Sequence, residues 1–357
     1  MSASNQRSSK KRGCLKWGGV ALGALALLLI VVLAIVGLQG SRAKAALRAQ
    51  YPPPGQMVDV GGYKLHLYCQ GSGSPTVVLV PGGGDFSLSW SLVQPEVAQT
   101  TRVCAYDFGG FGWSELGPKP PTVENIVAEL HTLLTNAGIE GPYVLVGHSL
   151  GGVYVRVYAF RYPEEVVGMV LVDSTHEDQQ ARYAAAEASH EDEGGDSNAN
   201  DQVNPLSQEL SLRLNQALFT LGIFAMSPQS FPDAALNPMP EEVLKAYKGV
   251  MLSSDTFFEA YLQQGAYMDE NMAAVREMHI TLGDMPLVVL SAKKLELPPG
   301  FPLSAEETAE IQAELHAELA ALSSRGELVF AEESPHCIQC IQPELVIEAI
   351  NHVLDAQ

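Results

Sequence analysis

The sequence is short of cysteine, short of basic residues over most of its length, and without a single acid in its first 50 residues. Five cysteines in 357 residues exclude a scaffold built from disulfides. The scarcity of bases excludes nucleic acid as a partner, because phosphate contacts need a basic surface. The formal net charge is −20, with 41 acids against 21 bases. Eight of those bases lie in residues 1–50, which leaves 13 for residues 51–357 and a balance of −28 there. No metal-ligand or phosphate-loop motif occurs, so no cofactor and no metal are expected. Apolar residues make up 46% and charged residues 17%, which excludes wholesale disorder.

What is present begins with the leader. Trp17 to Leu38 carries no charge over 22 residues, WGGVALGALALLLIVVLAIVGL. At ~1.5 Å per residue such a helix spans roughly 33 Å, enough for a bilayer core. Five bases precede it and three follow before Tyr51. The positive-inside rule then favours a cytoplasmic tail at 1–16, a transmembrane helix at 17–38 and an extracytoplasmic body. The competing reading is a cleaved signal peptide, whose apolar region is usually only ~7–15 residues long. Residues 39–55, ending in Pro52-Pro53-Pro54-Gly55, read as a short stalk.

The body alternates strand and helix signals. Val58 to Leu67, interrupted by Gly61-Gly62, reads as a hairpin. Four short apolar runs, in TVVLV from Thr76, YVLVG from Tyr143, MVLVD from Met169 and PLVVL from Pro286, read as parallel strands buried on both faces. Val123 to Ala137 and Gly152 to Arg161 read as helices between them. The expected class is α/β with a mostly parallel sheet. Residues 176–282 lack a convincing strand and read as a helical cap inserted in a core of 56–175 and 283–357. Within the cap, residues 190–204 are acidic and read as a mobile loop.

The chemistry gathers at Gly147-His148-Ser149-Leu150-Gly151, between an apolar strand and a helix. G-x-S-x-G in that setting is a nucleophile elbow. Serine sits on a tight turn with its hydroxyl projecting, and side chains two positions away would collide. A serine hydroxyl needs a base. His336 follows a last strand, Leu328-Val329-Phe330, late in the chain. The acid is less determined: Asp173 ends the Val170 strand, while after the next strand Glu296 is the nearest carboxylate. Both stay open, with Asp173 the first choice.

On these residues the body resembles the α/β-hydrolases of the esterase/lipase type, from about Val58 to Leu354. Val80-Pro81-Gly82-Gly83-Gly84 resembles the oxyanion loop, Asp107-Phe108-Gly109-Gly110-Phe111-Gly112-Trp113-Ser114 the D-x-R-G-x-G-x-S segment, and Ser334-Pro335-His336 the late S-G-H. Pro81 and Pro335 depart from the usual His and Gly, and Phe108-Gly109 lacks the usual Arg, so the structural ion pair of that segment is not expected. The resemblance implies an oxyanion hole from the amides of Leu150 and of Gly83 or its neighbour Gly84. It makes Cys69 and Cys104 neighbours that could bridge, and Cys337 and Cys340 either a local disulfide or free thiols. The expected activity is cleavage of a carboxylic ester by a serine hydrolase. The partners implied are a small ester, with an apolar acyl group if the cap aromatics line a pocket, and a lipid bilayer at the cell membrane. Alternatives are a peptidase or amidase with the same triad, and a non-catalytic cell-surface binding protein. Epoxide hydrolases and dehalogenases use an aspartate where Ser149 stands.

Overall fold

The computed structural model describes residues 6–192, 205–232, 238–295, 297 and 301–357. Eight strands form one sheet in the order β1-β2-β4-β3-β5-β6-β7-β8. They are β1 (Gln56–Asp59), β2 (Lys64–Gln70), β3 (Thr76–Val80), β4 (Val103–Tyr106), β5 (Tyr143–His148), β6 (Val166–Val172), β7 (Leu287–Ala292) and β8 (Gly326–Ala331). The first hairpin is antiparallel and β2 joins β4 antiparallel; the pairs from β4 through β8 are parallel. The apolar runs behave as their composition demands. In β3, Val77 and Leu79 enter one core layer while Val78 and Val80 enter the other. A strand covered on both faces needs no polar alternation.

Helices cover both faces. Following α1 (Gln6–Gln50) come α2 (Gln94–Val97), α3 (Val123–Asn136) and α4 (Leu150–Arg161). Thr122 caps α3 by accepting from the Asn125 amide. Between β6 and β7 lie α5 (Gln179–Asp192), α6 (Pro205–Thr220), α7 (Ile223–Met226), α8 (Glu241–Ser253), α9 (Phe257–Ala266) and α10 (Met268–Met278). Between β7 and β8, α11 (Ala305–Ala320) starts with a full capping box, Ser304 with Glu307. The chain closes with α12 (Ile338–Ile341) and α13 (Pro343–Asp355). The acidic segment read as a loop at 190–204 falls, from residue 193 on, outside the described residues.

The stalk expected at 39–55 needs correction. Residues 39–50 continue α1 without a break, and only Tyr51 and the prolines after it are irregular. Gln39 to Gln50 is rich in Ala, Lys, Arg, Leu and Gln, all strong helix formers, and the breaker arrives only at Pro52. One face of this last part of α1 packs on the body, with Gly40 and Lys44 buried. A Cβ on Gly40 would lie 1.8 Å from the Leu221 carbonyl oxygen, and one on Gly249 would strike the Tyr51 ring. Lys44, buried, pairs with Asp255 at 3.0 Å and donates to the Ser254 carbonyl. Arg48 pairs with the same carboxylate and donates to the Ser253 carbonyl at 2.6 Å. The preceding part of α1 is long and apolar enough to cross a membrane, and its side chains from Val20 to Leu38 lie almost entirely outside the protein.

Both cysteine pairs are disulfides. Cys69 and Cys104 face each other across the β2–β4 ladder, and Cys337 bridges to Cys340 just after His336. Asp107 has found another partner in place of the missing arginine. Fully buried, it accepts from His66 Nδ1 at 3.0 Å and from the amides of Ser87 and Trp113.

Candidate active site

Ser149 ends β5 in a conformation that L-residues avoid, with φ 51° and ψ −122°. The turn is held from three sides. The Ser149 amide donates to the Val172 carbonyl, and the Ser149 carbonyl accepts from the amides of Gly152 and Thr175. Glycine is required on steric grounds. A Cβ on Gly147 would meet the Gly151 carbonyl oxygen at 2.6 Å, and one on Gly151 would meet the Pro81 and Val80 carbonyl oxygens at 2.4 and 2.6 Å. Nothing larger lets the elbow pack against the end of β3.

Asp173 follows β6 directly, with φ 43° and its amide donating to the Leu290 carbonyl of β7. Its carboxylate is almost fully buried and fully employed. Oδ2 accepts from His336 Nδ1 at 2.6 Å. Oδ1 accepts from the Ala292 amide at 2.8 Å and from Gln312 Nε2 at 3.1 Å. Burial alone would raise its pKa; the bond from His336, the charges of His336 and His316, and the Ala292 amide outweigh that and lower it. Burial would in turn lower the His336 pKa, but the bond and charge of Asp173 reverse the direction and raise it. The aspartate therefore remains an anion, and the imidazole is held by Nδ1 with Nε2 directed elsewhere. Glu296, the other candidate acid, lies outside the described residues.

A second set of side chains, whose supporting role no motif marks, holds this pair in place. His148, beside the serine, is buried, and burial together with the charge of His336 pushes its pKa down to about 3. Neutral, it donates from Nε2 to the His336 carbonyl at 3.1 Å and so fixes the backbone of the histidine loop. His316 on α11 donates from Nε2 to the Ser174 carbonyl at 3.0 Å and accepts at Nδ1 from the Ser291 hydroxyl. Arg156 on α4, wholly buried, reaches Glu177 at 2.8 Å and the Thr175 carbonyl at 3.0 Å. It ties the loop after Asp173 to the helix after Ser149. His176 faces Glu177 and Glu318, and His279 ends α10 in a left-handed conformation.

The loop carrying Gly83 and the start of α4 carrying Leu150 are in contact: a Cβ on Gly83 would lie 3.3 Å from Leu150 Cδ2. The Leu150 N–H is the first of that helix and has no acceptor within it. The Gly84 N–H is taken, since it donates to Gln264 Oε1 of α9 at 2.8 Å. Gln264 is buried, and it ties the cap to this loop.

Beside these groups is a cavity of about 680 Å³. Asp173, His336 and Gly83 line one side, and Phe219, Phe257 and Phe258 the other. Phe219 packs on Phe224, Phe231, Phe257 and Phe258, so the cap aromatics both join the cap together and wall the cavity. Tyr247 stacks on Phe86 at 4.2 Å and bonds the Asp85 carboxylate at 3.0 Å, a second tie between cap and strand ends. Among the described residues no group of three or more His, Cys, Asp or Glu could hold a metal ion.

Comparison with known proteins agrees with this fold. Residues 75–209 match the family model described as alpha/beta hydrolase fold. The chain has the α/β-hydrolase fold. It resembles an esterase from Thermogutta terrifontis, with TM-score 0.52 and 21% identity, over 84% of this chain and 97% of that one. It resembles the epoxide hydrolase CorEH as closely in shape, with TM-score 0.56 and 18% identity, over 84% and 97%. An uncharacterised protein of Schizosaccharomyces pombe is 36% identical over 151 residues, which cover 34% of this chain and 28% of that protein. The chain spans 28%, 18% and 50% of the length of three curated relatives that it matches.

Proposed function

We propose that this α/β-hydrolase is a serine esterase working through an acyl-enzyme, mounted on a membrane by α1. The observation that carries the reading is the Asp173–His336 bond, formed between the loops that follow β6 and β8, beside an elbow serine and a cavity walled by cap aromatics. Ser149 Oγ attacks the ester carbonyl while His336 Nε2 takes its proton. Asp173 holds the imidazole in the tautomer with Nδ1 protonated and stabilises its cation. The amides of Gly83 and Leu150 receive the carbonyl oxygen as it gains charge. Gly84 is not available for that role, because its N–H is already spent on Gln264. His336 returns the proton to the departing alkoxide, and water then repeats the sequence on the acyl-enzyme. The structural likeness to an epoxide hydrolase is one of fold, and the elbow position here holds a serine hydroxyl rather than a carboxylate.

The disulfides support an oxidising compartment for the body, in keeping with a cytoplasmic N-terminus and an extracytoplasmic catalytic unit. The test is hydrolysis of a nitrophenyl ester panel by the full chain in detergent. Turnover that disappears with Ser149→Ala supports the esterase. Amide substrates cleaved faster than matched esters would favour the peptidase reading, and no turnover of either would leave a binding protein.

A further inference from the structure

The end of the apolar part of α1 meets the cap at one corner. Leu221 Cδ2 lies 3.9 Å from where a Cβ on Gly37 would sit, and the backbones of Gly40 and Gly222 are in contact. Leu221 extends α6 in helical geometry, its amide donating to the Ala217 carbonyl. Leu218, Leu214 and Leu210 continue the same helical stripe at spacings of three and four residues. Near α1 the stripe is packed. Further along it has no protein cover, with Leu210 66% and Leu214 58% exposed, values like those of Leu25 and Ile30 on α1. The apolar face that meets the anchor therefore continues past it, at the level where α1 leaves its charge-free segment.

The relation is rigid. Lys44 and Arg48 converge on Asp255, and Trp113 Nε1 donates to the Tyr51 carbonyl at 2.9 Å. A tether would let a body of net charge −28 drift from an anionic bilayer; this clamp does not. Phe219, one residue beyond Leu218 on α6, lines the cavity.

We infer that the exposed stripe of α6 is a second membrane contact, which holds the cavity at the bilayer surface so that the ester it takes is a lipid whose acyl chain resides in the membrane. The substrate half of this inference rests on the esterase reading; the membrane half does not.

The test uses the full chain with Cys14→Ser, which removes the one cysteine outside the two disulfides. An environment-sensitive fluorophore is placed by Leu210→Cys or Leu214→Cys in phosphatidylcholine vesicles carrying nitroxide-labelled acyl chains. Val32→Cys on α1 and Glu348→Cys on α13 give the bilayer and aqueous references. Quenching at 210 and 214 close to that at 32 is expected; quenching no greater than at 348 overturns the membrane contact. Leu210→Glu with Leu214→Glu is then assayed on a long-chain ester in vesicles and on a soluble short ester. A loss of about tenfold on the vesicle ester with the soluble ester within about twofold is expected, the effect of removing an apolar seat. Equal rates on the vesicle ester before and after substitution overturn the lipid-substrate half. If this double variant does not fold, quenching at 210 and 214 decides alone. If quenching is seen but no ester is cleaved by the parent chain, the esterase reading fails and the membrane contact stands.

Discussion

The two sides of the cavity are fixed by different means. On the sheet side, Ser149 and Asp173 sit at strand ends, both at positive φ, and their backbones bond to neighbouring strands. On the cap side the ties are made by side chains: Gln264 to Gly84, Tyr247 to Asp85, and Lys44 and Arg48 to Asp255. Backbone ties hold reacting atoms to fractions of an ångström, whereas side-chain ties can be lost one at a time. The sheet side should therefore answer mutation with lost chemistry, and the cap side with graded losses of rate, binding and stability.

The largest effect should come from the sheet side. Ser149→Ala should cost at least about a thousandfold in ester turnover with little change in melting temperature. Asp173→Asn should cost about as much, because an amide at Oδ2 no longer fixes the His336 tautomer. The two differ in pH dependence. His336 must be neutral to act as base, and Asp173 holds its pKa above the ordinary 6.5. The parent rate should thus rise with pH through a midpoint above 6.5 and fall as acid protonates the imidazole. In Asp173→Asn the main influence that raises that pKa is gone and only the Asp85 charge remains, so the residual activity should have a lower midpoint. An unmoved midpoint in a pH–rate profile would break the assignment of the acid.

Intermediate effects should come from where anchor meets cap. Deleting residues 1–38 keeps the clamp, whereas deleting residues 1–50 strips Lys44 and Arg48 from Asp255 and uncovers Leu221 and Gly222, against which Gly40 packs. In detergent, the shorter chain should melt several degrees lower, the shift expected of a loss of about 2 kcal/mol. Equal melting temperatures would mean that residues 39–50 are a passive stalk. The smallest effect expected is that of Gln264→Leu. It frees the Gly84 amide and loosens the oxyanion loop, lowering kcat about tenfold while leaving stability nearly unchanged. A change in KM alone would place Gln264 in binding rather than in shaping that loop.

The unequal construction explains what the sequence made legible. The elbow and the pair of Asp173 and His336 could be read because apolar strands mark their own ends, and glycines flanking a serine have a steric meaning there. Gln264, His316, Arg156 and the supporting role of His148 could not be read. Each acts on residues distant in the chain: Gln264, His316 and Arg156 from helices whose periodicity shows only which face is apolar, and His148 from the end of β5. Asp107 shows the same limit: the absence of an arginine in Phe108-Gly109 is visible in the sequence, but its replacement by His66 from a neighbouring strand is not. The error at residues 39–55 was one of weighting. The prolines mark a break only from Pro52 on, and ten of the twelve residues at 39–50 are strong helix formers.

The most direct test of the central claim is covalent. The full chain, in detergent, is treated with a fluorophosphonate probe, digested and mapped by mass spectrometry. The account predicts a single modified peptide bearing the adduct on Ser149, labelling that rises with pH as His336 loses its proton, and no adduct on Ser149→Ala. Undiminished labelling of Ser149→Ala, or a folded parent chain that takes no label at any pH, would contradict it.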